Sequence, residues 1–224
     1  MANNMDTIIT IDGPSGGGKS TVSRMLAAEL GYTYLDTGAM YRAVGLQAQR
    51  QGVDLADDEQ VTVLLAELDL QLEPGDGDTR VLLAGEDVSA AIRSAEMGMV
   101  ASVISALPLV RKKLTELQQR IGARGRVVTE GRDMGTVVFP HARHKYFLDA
   151  TPEERARRRV EQLHEKGEEA SYDNILAQII KRDHDDSTRD IAPLKPASDA
   201  VHIDSSRINA QEVVRSILDQ LAKK

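Results

Sequence analysis

The residues best suited to chemistry lie near the start of the chain, in a stretch rich in glycine. Residues 13–21 read GPSGGGKST, and Gly13, four free positions and then Gly18-Lys19-Ser20 match the phosphate-binding loop pattern. Glycines let backbone N–H groups turn toward a polyphosphate, the lysine reaches the β- and γ-phosphates, and the serine hydroxyl binds Mg²⁺. A glycine-rich turn that merely joins a strand to a helix is the alternative, which the complete pattern disfavours. We predict a site for a nucleoside triphosphate, made by Gly13, Pro14, Ser15, Gly16, Gly17, Gly18, Lys19, Ser20 and Thr21.

A second group of reactive side chains follows a compact apolar run, RVVTE, at residues 126–130. Glu130 ends this predicted strand, where a carboxylate beside a phosphate loop usually holds Mg²⁺ or its waters, so Ser20 and Glu130 are the predicted metal residues. Arg132 and Asp133 come next, at the carboxyl end of a strand, where ligands of open α/β sheets bind. A turn-forming role is the alternative for Asp133.

Arginines recur at positions where they could meet phosphate. Arg42 lies on the first turn of a helix that Asp36 or Thr37 can cap, although an ordinary surface arginine remains the alternative. Residues 155–159 contain four arginines, which suit a mobile flap over phosphate charge, or else a solvated face paired with glutamates. Arg182 and Asp186 lie one turn apart on another predicted helix, and Arg189 lies just beyond it.

The elements that must position these residues alternate between strands and helices. The predicted strands cover residues 7–11, 32–35, 126–130, 145–148 and 200–204. A helix is predicted after each strand except 126–130, and a further helix over 109–121 precedes that strand. Residues 54–92 break this rhythm with a modest helix, two short strands and a turn-rich loop, EPGDGDT, so we expect an insertion into an α/β frame.

Composition narrows the class of protein. The 224 residues carry a net charge of −7 and no cysteine, so disulfides and thiolate metal sites are excluded, and a general nucleic-acid surface is disfavoured. Nine acidic and no basic residues fall within 51–79, which leaves 28 basic and 26 acidic residues elsewhere. No apolar run reaches membrane-spanning length and no leader is evident, so we expect a cytoplasmic protein without membrane or nucleic-acid partners.

Taken together, the motifs resemble those of the bacterial cytidylate kinases, within the nucleoside monophosphate kinases. The resemblance covers essentially the whole chain. It is carried by IDGPSGGGKST at 11–21, LDTGAMYR at 35–42, LAGEDVSAAIR at 83–93, EGRDMGTVVFP at 130–140, FLDATPEERARRR at 147–159, KRDHDDSTRDIAPL at 181–194 and AVHIDSS at 200–206. The glycine loop alone would indicate only the superfamily, whereas EGRDMGTVVFP and the GEDVS segment are much narrower.

The resemblance implies a single P-loop kinase domain, with a parallel sheet between two helix layers. It also implies a nucleoside monophosphate region at about 37–107, with a small antiparallel sheet inserted at about 62–93, and a lid at about 155–172. The implied activity is transfer of the γ-phosphate of ATP to CMP or dCMP, with Mg²⁺, by a monomer.

The implied roles fall on particular residues of this chain. The acceptor site is lined by Thr37, Tyr41 and Arg42. Ser102, Arg111 and Asp133 face the cytosine. Arg132 meets the acceptor phosphate, Arg182 and Asp186 hold the sugar, and Arg189 holds phosphates. The catalytic cations are Lys19, Arg132, Arg189 and the lid residues Arg158 and Arg159.

Some positions differ from the family pattern. Thr37 replaces an expected serine, and Glu130 stands where aspartate is common, which leaves its metal contact open. Two other functions stay as alternatives: a kinase for a different small acceptor such as UMP, and a nucleotide switch that binds partners. No guanine-reading N-K-x-D motif supports the switch.

Overall fold

A central five-stranded parallel sheet organises the computed structural model, which describes residues 4–75, 79–165 and 167–223. Its strands are β1 (Ile8–Asp12), β2 (Thr33–Asp36), β6 (Val127–Gly131), β7 (His144–Asp149) and β8 (Val201–Asp204), in the order β2-β6-β1-β7-β8. The strand before the glycine loop is therefore the middle one. The predicted strand positions agree with the structure to within about one residue at each end.

Helices cover both faces of this sheet, as the fold class predicts. Their bounds are α1 (Lys19–Leu30), α2 (Thr37–Gln51), α3 (Asp58–Ala66), α4 (Ala95–Ile104), α5 (Pro108–Gly122), α6 (Pro152–Glu165), α7 (Tyr172–Thr188) and α8 (Ala210–Leu221). Successive strand residues point to opposite faces. Val127 accordingly joins the core beneath α2, α3 and α5, whereas Val128 joins the core beneath α1 and α8.

The inserted segment forms a second, antiparallel sheet. Its strands are β3 (Leu70–Pro74), β4 (Thr79–Leu83) and β5 (Glu86–Asp87). It packs on α2 through a small apolar cluster that includes Ala43 and Val81. The sequence predicted β3 and β4 but missed β5, because a strand of two residues has no alternating pattern to detect. Part of the predicted EPGDGDT loop, residues 76–78, lies outside the described residues.

Local sequence accounts for the helix ends nearest the site. The Asp36 side chain caps α2 by accepting from the Ala39 backbone N–H at 2.8 Å, and Gly31 and Gly52 end α1 and α2 with left-handed backbone. After β6, residues Met134–Val138 form a turn of π-helix that the sequence did not predict. The described helices include none that is both long and apolar enough to cross a membrane.

Candidate active site

The glycine loop connects β1 to α1 at the carboxyl edge of the sheet. A Cβ at Gly13 would lie 2.0 Å from the backbone oxygen of Leu148 on β7, so only glycine allows this approach. Gly18 has φ 85° and precedes the first residue of α1. The loop is thus pressed against the sheet at one end and opens into a helix N-terminus at the other, where anions are favoured.

Lys19 is the first residue of α1 and is almost fully buried. Its Nζ donates to the backbone oxygen of Pro14 at 2.6 Å, which holds the ammonium group inside the loop. Its pKa is lowered to about 7, chiefly by burial and then by the charge of Arg132, while the nearby Glu130 opposes the shift. A phosphate would supply the negative charge that this buried cation lacks.

Glu130 lies at the end of β6 beside the same loop, and its carboxylate is buried. It accepts a hydrogen bond from the Tyr34 hydroxyl at 2.6 Å and shares another with the Ser20 side chain. Burial raises its pKa, with the neighbouring Asp36 adding to the rise and Lys19 opposing it. The Thr37 hydroxyl donates to the Glu130 backbone oxygen at 2.6 Å, so α2 is tied to this strand end.

The predicted metal residues are therefore brought together. Ser20 and Glu130 offer a hydroxyl and a carboxylate oxygen within hydrogen-bonding reach of each other. Oxygen ligands of this kind suit Mg²⁺. This donor set fits the ion that the phosphate loop implies.

A buried ion pair joins the segment after β6 to α5. The Arg111 guanidinium donates to Asp133, and both side chains are about 5% exposed or less. Arg111 also donates to the backbone oxygen of Ser105 at 3.0 Å and lies over the Tyr41 ring, 5.8 Å from its centroid. Ser102 is half-buried on α4, one turn before that carbonyl. The residues expected to face a base thus come from two helices, α4 and α5, and from the segment after β6.

A second polar cluster joins the end of β6 to α7. Arg132 Nε donates to Asp186 Oδ2 at 2.8 Å, and Arg189 lies 3.8 Å from Asp186 and 4.0 Å from Asp133. Burial raises the pKa of Asp186, but Arg132, Arg182 and Arg189 together bring it below its ordinary value. Burial and the charge of Arg132 lower the pKa of Arg182 to about 10, and its Nε has no hydrogen-bond partner. Three arginines around one carboxylate leave an excess of positive charge, which suits an anionic ligand.

Arg42 is placed at the N-terminus of α2, where Asp36 pairs with it at 3.1 Å. Its Nε is buried without a partner. The pairing orients the guanidinium at the helix end that already favours anions. Thr37 and Tyr41 lie on the same two turns and are buried.

The four arginines of α6 do not form one group. Arg155 is buried and holds the glycine loop, donating to the Ser15 backbone oxygen at 3.0 Å while pairing with Asp183 at 2.5 Å. Arg157 is exposed and pairs with Glu154 and Glu161, as the solvated-face alternative predicts. Arg158 donates to the backbone oxygen of Ser205 at 2.5 Å and lies close to Gly18. Arg159 is only partly buried on the same helix, and the lid movement remains a prediction.

Two residues at the site were missed from the sequence. Asp12 ends β1 and accepts from the backbone N–H groups of Met134 and Gly135, at 2.8 Å each. A carboxylate closing an apolar strand directly before the glycine loop was the available signal for Asp12. Tyr34 had no such signal, because an aromatic residue in a short strand is ordinarily part of the core.

A glycine loop after the middle strand of a parallel sheet, with a buried lysine and arginines around it, is the arrangement of a P-loop kinase. The family model described as "Cytidylate kinase" matches residues 9–223, and the chain belongs to this family of phosphotransferases.

Individual relatives agree with this assignment. The chain is 47% identical over 216 residues to "Cytidylate kinase" of Carboxydothermus hydrogenoformans, covering 96% of this chain and 97% of that one. It is 50% identical over 208 residues to "Cytidylate kinase" of Citrifermentans bemidjiense, covering 92% and 89%. An uncharacterized protein from Eubacterium ventriosum has a solved structure that is similar in fold alone, with a TM-score of 0.53 and 10% identity over 98% of this chain and 99% of that one.

Proposed function

We propose that the chain transfers the γ-phosphoryl group of ATP to CMP or dCMP, giving ADP and CDP or dCDP. Family membership supports the acceptor, since the relatives are named for cytidylate. The phosphate loop with its buried Lys19 supports a nucleoside triphosphate as donor.

The buried Arg111–Asp133 pair is the observation that carries the choice of cytosine. Cytosine presents an amine donor beside a ring nitrogen and a carbonyl, both of which accept. Asp133 would accept from the amine, while Arg111 and Ser102 would donate to the ring nitrogen and carbonyl. Uracil has a carbonyl in place of the amine and an N–H in place of the accepting ring nitrogen. Asp133 would then face an acceptor and Arg111 a donor, so neither contact could form.

The acceptor phosphate and the sugar are assigned to the neighbouring polar cluster. Arg132 and Arg42 would bind the acceptor phosphate, and Arg182 with Asp186 would bind the sugar. Tyr41 and Thr37 would line the wall of this site. Binding the phosphate here would compensate the excess positive charge around Asp186.

The proposed catalysis depends on position and charge. The acceptor is already an anionic phosphate at neutral pH, so the attacking oxygen needs no strong general base. Lys19, Arg132 and Arg189 would stabilise the charge on the phosphoryl group in transit, with the lid residues Arg158 and Arg159 added on closure. Closure would also exclude water and so suppress ATP hydrolysis.

Ser20 and Glu130 would hold Mg²⁺ or its waters. When bound, the ion supplies charge neutralisation on the β- and γ-phosphates. The hydrogen bond between the Ser20 and Glu130 side chains supports this assignment, because it places a hydroxyl and a carboxylate oxygen next to each other. We further propose that the enzyme is a cytoplasmic monomer that acts on small-molecule substrates only. Light scattering of the purified chain would test whether it is a monomer.

A coupled assay of ADP release with a panel of monophosphates tests the proposal. We expect CMP and dCMP to be phosphorylated efficiently, with UMP, AMP and GMP far behind. Efficient use of UMP in preference to CMP would replace this function with the alternative kinase activity. Nucleotide binding without transfer to any monophosphate would favour the switch alternative.

A further inference from the structure

The geometry assigns a positioning role to Tyr34: its hydroxyl holds the Glu130 carboxylate against Ser20, and thereby sets the metal dependence of nucleotide binding. The inference rests on the proposed function, because it concerns the site where that function places Mg²⁺. It assigns a role to a residue that the proposed function does not place against the nucleotides or Mg²⁺.

The contact joins two neighbouring strands at the edge of the sheet. Asp36 of β2 is in register with Glu130 of β6, and Tyr34 lies two residues earlier on β2. Residues two apart on a strand share a face, so the tyrosine ring extends along the sheet toward the end where Glu130 lies. Its hydroxyl reaches the carboxylate at 2.6 Å, the length of a short charge-assisted bond.

Glu130 needs such a contact more than a shorter side chain would. A glutamate has one more rotatable bond than an aspartate, so an unrestrained carboxylate would sample positions away from Ser20. Tyr34 and Ser20 both hydrogen bond to this carboxylate. A carboxylate has about four lone-pair sites, so two such bonds orient it and still leave acceptor capacity for a cation or its waters.

The tyrosine itself is held at both ends. Its ring packs in the apolar cluster beneath α1 and α8, and its backbone oxygen accepts from the Thr79 hydroxyl at 3.3 Å. A phenylalanine in this place would keep the ring and the backbone contact and lose only the hydroxyl. The role of the hydroxyl can therefore be separated from packing.

The test measures binding of a non-hydrolysable ATP analogue by calorimetry, once with saturating Mg²⁺ and once with EDTA. For Tyr34→Phe we expect the Kd with Mg²⁺ to rise about tenfold, the usual scale for residues that orient a metal ligand, while the Kd in EDTA stays near the wild-type value. Tyr32→Phe is the matched control, because Tyr32 lies two residues before Tyr34 and its ring packs against the Arg126 guanidinium instead of Glu130. It should bind like the wild type under both conditions.

A double-variant cycle identifies the route of the effect. If Tyr34 acts through Glu130, Tyr34→Phe should change nothing further in a Glu130→Ala background. Equal losses with and without Mg²⁺, or a full effect of Tyr34→Phe in that background, would overturn the inference. A wild-type protein that fails to bind the analogue, or to phosphorylate CMP, would instead overturn the proposed function.

Discussion

The Nε of Arg132 donates to Asp186 at 2.8 Å, and this contact joins the end of β6 to α7. Asp186 is buried, and its carboxylate holds the Arg132 guanidinium in a fixed orientation. Arg132 is thus positioned in advance, with part of its guanidinium available for a phosphate. Preorganised cations cost less to orient when the ligand binds, which is the basis for several expectations about this site.

Lys19→Ala should lower kcat on the order of a thousandfold, because the variant loses a charge placed on the transferring phosphoryl group. Steady-state kinetics with saturating ATP and CMP would measure it. Lys181→Ala is the matched control, since Lys181 is exposed and pairs with Asp185 on its own helix. Near-normal turnover in the Lys19 variant would remove this residue from catalysis.

Arg132→Ala and Arg42→Ala should each weaken CMP binding while leaving ATP binding nearly intact, because both lie outside the glycine loop. Separate calorimetric titrations with ATP and with CMP would show the difference. Arg132→Ala also leaves Asp186 with fewer cations, so circular dichroism should accompany the titrations. If both ligands lost affinity equally, a folding defect would explain the result better than a lost phosphate contact.

Base choice should depend on the Arg111–Asp133 pair. We expect kcat/KM of the wild type for CMP to exceed that for UMP by at least roughly a hundredfold, because unpaired buried polar groups are costly. Asp133→Ala should narrow this ratio, mainly by damaging CMP use. The same ratio in both proteins would mean that the base is recognised by other residues.

The pH dependence of stability should report on Asp12. Burial raises its pKa from 3.8 to about 6, although the Gly135 and Met134 N–H groups oppose the rise. Between these values the folded state keeps a proton that the unfolded state has lost, so this group makes the fold less stable as pH rises. Relative to Asp12→Asn, the wild type should lose on the order of 3 kcal/mol of unfolding free energy between pH 4 and pH 7.

Urea unfolding at several pH values would measure this difference. Asp219→Asn, at an exposed position on α8, is the control and should follow the wild type across the range. Parallel curves for the wild type and Asp12→Asn would show that the carboxylate titrates at an ordinary pH in the folded protein.

Much of the local architecture could be predicted from the sequence. The junction of strand, glycine loop and helix and the cap at Asp36, one of the two residues predicted for it, are patterns of neighbouring residues, and the structure confirms them. The five strands of the main sheet follow from apolar runs, and the family follows from its motifs. The roles of the site residues remain predictions.

Only the tertiary structure decided which of these residues meet. Tyr34 and Glu130 are 96 positions apart, and Asp12 and Gly135 are 123 apart. Such pairs depend on the strand order β2-β6-β1, which places three distant segments side by side. The tertiary structure also separates the arginines of α6, whose spacing suggested one cluster. Because a helix turns about 100° per residue, Arg155 points into the glycine loop while Arg157 points to solvent. Hydrophobic periodicity shows which residues belong to one helix or strand. The contacts between elements depend on how distant segments pack together, and a short stretch of sequence carries no information about that packing.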